Sequence, residues 1–115
     1  MNILAETRTM LSPLGVPIET GVFKNKASVE YIVLTPLSDI YPLSADNFPQ
    51  TDVQELRITL YTKNNYLKLK NKIVKRLLQS DFTITARWYG GYETDTGYHQ
   101  YTIDVTKNYD IEEEY

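Results

Sequence analysis

The stretch Asp52-Val53-Gln54-Glu55-Leu56-Arg57-Ile58-Thr59-Leu60-Tyr61-Thr62, followed by Lys63-Asn64-Asn65 and the run from Tyr66 to Gln79, decides the fold class. In its first part Gln54, Leu56, Ile58 and Leu60 alternate with Glu55, Arg57, Thr59 and Tyr61. A period of two marks a strand buried on one face. After the asparagines the period lengthens. Tyr66, Leu69, Ile73, Val74, Leu77 and Leu78 form one stripe at helical spacing, while Lys68, Lys72, Lys75 and Arg76 face the other way. Asn64 or Asn65 supplies an N-cap. A half-buried strand running into an amphipathic helix calls for a sheet with helices laid against it.

Working outward, Ile3, Leu4, Thr7, Met10 and Leu11 share one face of a short helix that ends near Ser12-Pro13. Residues from Gly15 to Val22 read as an edge strand or extended link, and Lys24-Asn25-Lys26 as a polar turn. Ser28 to Thr35 is β-branched and aromatic, a strand that Pro36 is expected to stop. The segment Leu37 to Thr51 reads as a long loop, either functional or holding a short strand. Beyond the second helix, Phe82, Ile84, Ala86 and Trp88 alternate on one side, Gly90-Gly91 bends or ends the strand, and Glu93 to Gly97 turns the chain. Tyr98 to Val105 returns as the second arm of a hairpin, with His99, Tyr101, Ile103 and Val105 on one face. The expected fold is α+β: a mainly antiparallel sheet of four to five strands with two helices packed on one face. Residues 1–109 form a single domain and residues 110–115 an acidic tail. The uncovered face is expected to carry Glu55, Arg57, Tyr61, Arg87 and Tyr89.

Composition narrows the function. A chain of 115 residues buries roughly two-thirds of its unfolded surface, enough for a core without staples. The absence of cysteine excludes disulfides and thiolate chemistry. No apolar run approaches the roughly 20 residues of a membrane-spanning helix, and no membrane role is expected. The opening Met1 to Arg8 has neither the basic region nor the apolar run of a secretory signal. A net charge of −3 disfavours a free-standing nucleic-acid binder. Ten tyrosines are the compositional anomaly, and tyrosine suits half-buried, half-wet interfaces.

The sequence carries little that could do chemistry. His99 is the sole histidine, and nothing selects a serine to work with it. A partly solvated strand residue beside a hairpin is the favoured account of His99. One histidine and no cysteine remove most zinc designs, and Glu93, Asp95 and Thr96 lack the spacing of a calcium loop. The glycines match no phosphate-binding fingerprint. No catalytic residue, metal or cofactor is therefore expected, and the chain reads as a structural or interaction protein. The basic run Lys68, Lys70, Lys72, Lys75 and Arg76 is better explained as a solvated helix face than as a phosphate grip. A third account pairs it with Glu112, Glu113 and Glu114 of the same or a neighbouring chain. Tyr41, Phe48, Trp88, Tyr89, Tyr92 and Tyr98 are many large aromatics for loops and strand ends; packing under the loops and burial against another subunit weigh equally.

Several stretches are similar to the tail terminator (tail-completion, head–tail joining) proteins of long-tailed bacteriophages and prophages of Gram-positive bacteria. They are Asn2 to Arg8, Val16 to Phe23, Tyr31 to Asp39, Ala45-Asp46-Asn47, Asp81 to Ile84 and Thr96 to His99. The resemblance spans nearly the whole chain but carries no mechanistic signature. It implies a virion structural protein that assembles in the host cytoplasm. There it forms a homo-hexameric ring on the tail tube, stops tube polymerisation and connects the tail to the head. Its implied partners are other copies of itself, the major tail tube protein and the head connector or stopper protein, with phage DNA only as cargo in the lumen. A closed ring of identical subunits needs one heterologous interface. The segment from Ile40 to Gln50 and the hairpin from Gly90 to Tyr98 are the expected docking surfaces, with the Lys68–Arg76 face and the acidic tail contributing around the ring. The rivals are another head–tail connector component, a small nucleic-acid-binding module using the lysine helix, and an enzyme dependent on His99.

Overall fold

A computed structural model describes residues 2–21, 28–40 and 51–110. The order of elements is α1 (Ile3–Leu11), β1 (Ile18–Thr20), β2 (Glu30–Ile40), β3 (Thr51–Thr62), α2 (Tyr66–Gln79), β4 (Thr83–Glu93) and β5 (Tyr98–Asp110). The strands form one five-stranded sheet in the order β1-β2-β3-β5-β4. The fold is α+β as expected. The sheet is mixed, because β1 runs parallel to β2 while all other neighbours are antiparallel.

Both helices begin on asparagine caps. The Asn2 side chain accepts from the Ala5 amide at 2.8 Å, and the Asn65 side chain accepts from the Leu67 amide at 3.0 Å. From α1 the residues Ile3, Thr7 and Leu11 are buried, and from α2 Leu69, Ile73 and Leu77. They pack on Ile32 and Leu34 of β2, Leu56, Ile58 and Leu60 of β3, and Ile103 and Val105 of β5. All these strand positions share one face, so both helices cover the same side of the sheet. Leu78, placed in the apolar stripe by sequence, is 60% exposed. The helix meets the sheet along the line through Leu69, Ile73 and Leu77, and Leu78 lies beyond it.

Pro36 does not end β2, which continues to Ile40 with a bulge between Pro36 and Ser38. The backbone directions explain why. Ile32 donates to Pro17 and Leu34 accepts from Gly21, so even-numbered residues of β2 turn their backbone groups away from β3 toward β1. β1 ends at Thr20, and among the described residues no strand stands opposite position 36 on that side, so its missing N–H breaks no ladder bond there.

Two bulges reshape β4. Register shifts between Ile84 and Ala86 and again between Tyr89 and Gly91, and the strand runs through both glycines to Glu93. An extra residue reverses every side chain after it. Ile84 therefore packs on the helix-covered core, whereas Ala86 and Trp88 stand on the uncovered face, opposite Asp104 and Thr102. Arg87 and Tyr89, expected on the uncovered face, lie on the helix side opposite Ile103 and Tyr101. The strand β5 extends five residues past Val105 and includes Asp110, paired with Thr51, and the rest of the expected acidic tail lies outside the described residues.

Candidate functional site

The face away from the helices, uncovered by any described element, is an ordered lattice of side chains whose middle residues Val33, Thr59 and Thr102 are buried among their neighbours. Moving from the hairpin end, its rows across β2, β3, β5 and β4 read Tyr31–Tyr61–Gln100–Gly91, then Val33–Thr59–Thr102–Trp88, then Thr35–Arg57–Asp104–Ala86. Arg57 forks onto Asp104, with Nε and Nη2 donating at 2.9 and 3.0 Å, and its guanidinium lies 5.2 Å from the Trp88 ring centroid. Tyr31 and Tyr61 stack at 4.6 Å, and Tyr98 meets both edge-on. The Tyr98 hydroxyl donates to the Ser28 carbonyl, and Lys63 Nζ sits 5.0 Å from the Tyr98 ring centroid. Burial, then the neighbouring Tyr61, Tyr98 and Glu93, push the Tyr31 hydroxyl up to about 12. Burial and Glu93 likewise raise Tyr61.

Beside this cluster the sheet has a dent of about 260 Å³, lined by Tyr61, Tyr98, Gln100 and Glu93 together with Gly90, Gly91 and Tyr92. Gly91 occupies a position with φ +114, and a Cβ there would meet nothing within 4 Å. A Cβ on Gly90 would come within 3.2 Å of Gln100 Cγ, which explains the glycine at the bulge.

On the helix side of the same end lies a second aromatic group. Tyr66 from α2 packs 4.9 Å from Tyr89 and 5.6 Å from Tyr101. The Tyr89 hydroxyl hydrogen-bonds His99 Nδ1 at 2.9 Å, and Tyr92 lies 4.8 Å from the imidazole. His99 is thus a member of a tyrosine cluster. No serine or carboxylate hydrogen-bonds it among the described residues.

The basic residues are brought together only in part. Lys68, Lys72 and Lys75 are exposed along a groove between α2 and the segment Pro13-Leu14-Gly15-Val16. Arg76 turns back to donate to the Met10 carbonyl at 3.3 Å, and Lys70 covers the Tyr101 ring at 5.6 Å. Two of the five cations therefore serve the chain's own packing. Lys107, which sequence reading passed over, joins three elements: its Nζ contacts Glu6 at 2.6 Å and the Ser80 carbonyl at 2.8 Å. Tyr109 donates to the same carboxylate at 2.8 Å. Continued alternation from Ile103 through Val105, Lys107 and Tyr109 was the available signal.

Of the expected interface aromatics, Trp88, Tyr89 and Tyr92 are exposed, whereas Tyr98 is buried in the chain's own cluster. Trp88 is separated from Tyr89 and Tyr92 by the sheet itself. Tyr41, Phe48, Glu112, Glu113 and Glu114 lie outside the described residues. The strand ends that flank residues 41–50 sit where Thr51 pairs with Asp110, while the hairpin leaves from the end where Thr62 pairs with His99. Twelve strand residues, roughly 40 Å, separate the two. Among the described residues no three His, Asp or Glu side chains gather as a metal site, and no helix is long and apolar enough to cross a membrane. No protein-family model matches the chain, and no curated protein matches it.

Proposed function

We propose that the chain is a virion structural protein, a tail terminator that forms a ring on the end of the tail tube, stops its growth and joins it to the head. The observation that supports this reading best is the asymmetry of the sheet. One face is closed by α1 and α2, and the other, which no described helix covers, carries a lattice of aromatic, threonine and charged side chains around the buried row Val33, Thr59 and Thr102. A subunit that ends a polymer needs two unlike surfaces, one complementary to the last ring and one that refuses the next. The two ends of the sheet are also far enough apart to meet different neighbours, the tube at one and the head connector at the other. Trp88, Tyr89 and Tyr92 on the two faces of β4 and Lys68, Lys72 and Lys75 on α2 are the residues we assign to those contacts and to the ring.

The test is electron microscopy of tails made with and without this gene product. Overlong or headless tails in its absence, corrected when the gene is restored, support a terminator. Tails of normal length that fail to join heads point instead to a neighbouring connector ring. The groove lined by Lys68, Lys72 and Lys75, which carry no ion pair among the described residues, favours one other class, a nucleic-acid module. Salt-sensitive DNA binding abolished by Lys72→Glu with Lys75→Glu would select it.

A further inference from the structure

The uncovered face contains one complete set of an aromatic ring, a carboxylate and a guanidinium: Trp88, Asp104 and Arg57. Toward the hairpin the same face repeats two members of that set. Tyr61 is covered on one face by Tyr31 and lines the dent beside Gly91, and Glu93 stands on the rim. Glu93 makes no ion pair among the described residues, and its charge is close enough to raise the Tyr61 hydroxyl. Lys63 is the nearby cation, but it lies over Tyr98 and leaves Tyr61 to the dent. The space itself exists because the side-chain row Tyr31–Tyr61–Gln100 ends in a glycine.

We propose that this dent binds an arginine side chain presented by a partner protein. A guanidinium fits on three counts. Its flat face can lie against the Tyr61 ring where that ring lines the dent. Its forked N–H groups match the Glu93 carboxylate, as those of Arg57 match Asp104. The dent holds about 260 Å³, below the roughly 300–1,000 Å³ of small-molecule pockets and suited to one long side chain. Lysine offers neither the planar face nor the fork. The inference stands apart from the tail-terminator reading, since it concerns the chemistry of the ligand group and holds for any partner that supplies it.

The experiment uses the full chain labelled with nitrogen-15 and titrated with N-acetyl-arginine methylamide. The matched citrulline and lysine compounds are titrated in parallel. The expected result is saturable shifts concentrated at the amides of Gly90, Gly91 and Gln100. Affinity should fall about ten-fold for citrulline, which keeps the shape and loses the charge, and several-fold for lysine. Glu93→Gln, an exposed change that leaves the remaining spectrum in place, should weaken arginine binding about ten-fold. Unsaturable shifts, shifts spread over acidic residues elsewhere, equal binding of lysine and arginine, or an unaffected Glu93→Gln variant would each overturn the proposal.

Discussion

Arg57 and Trp88 meet on the uncovered face of the sheet, the guanidinium 5.2 Å from the ring centroid, because the bulge at Thr85 turns Trp88 away from the helices. Regular alternation from Phe82 would have sent the indole into the core. The pairing is expected to contribute about 0.5–1 kcal/mol, measured as the coupling in a double-mutant cycle of Arg57→Ala with Trp88→Leu. Trp88 is the sole tryptophan, so Arg57→Ala should also change the intrinsic fluorescence of the folded protein. An unchanged spectrum would place the indole elsewhere.

Asp81 has φ 63 at the end of α2, and Phe82 donates from its amide to the Leu77 carbonyl at 3.1 Å. This is a Schellman ending with an aspartate in the place glycine prefers. Asp81→Gly should raise stability by about 0.5–1 kcal/mol in urea unfolding, and Asp81→Val should lower it.

The raised hydroxyl of Tyr31 gives a signed pH dependence. The unfolded chain ionises this tyrosine near 10.0, the folded chain near about 12. Its contribution is complete below the lower value and is lost as pH rises through the upper one, because the unfolded state sheds the proton first. The stability difference between the parent and Tyr31→Phe should therefore change across that window, with the parent falling faster. Tyrosinate absorbance should show this residue among the last to ionise. Parallel stability curves would contradict the assignment.

Ile73 and Leu78 are both in the apolar stripe of α2, yet one is fully buried and the other 60% exposed. Ile73→Ala should cost about 2–5 kcal/mol through lost burial and a cavity. Leu78→Ala should stay within about 0.5 kcal/mol of the parent. Comparable losses from the two would mean that α2 is rotated on the sheet.

Local chemistry that acts within one element was legible in the sequence. The caps at Asn2 and Asn65, the alternation of β3 and the turn before Gly97 all follow from residues a few positions apart. The bulges were not. Thr85 carries no local mark, and its effect on Trp88 and Tyr89 appears only when β4 is set against β5. Pro36 misled for a related reason. Its cost depends on whether a neighbouring strand needs its N–H, and β3 does not, because the backbone of position 36 turns to the other side. The dent was hidden more deeply still, since Tyr61 and Gly91 come together only through the order β3-β5-β4. Of its members, only the glycine pair in a strand pattern hinted at a bulge or a close approach. Lys107 was lost because a charge interrupts an apolar alternation even when the charge is paired.

The proposed role is tested most directly by adding the purified chain to headless tails from a phage that lacks this gene. A discrete ring of density should form at one end of each tube, elongation by added tube protein should stop, and heads should then attach. Tube ends that stay bare at saturating protein, or tubes that continue to lengthen, would contradict a terminating ring.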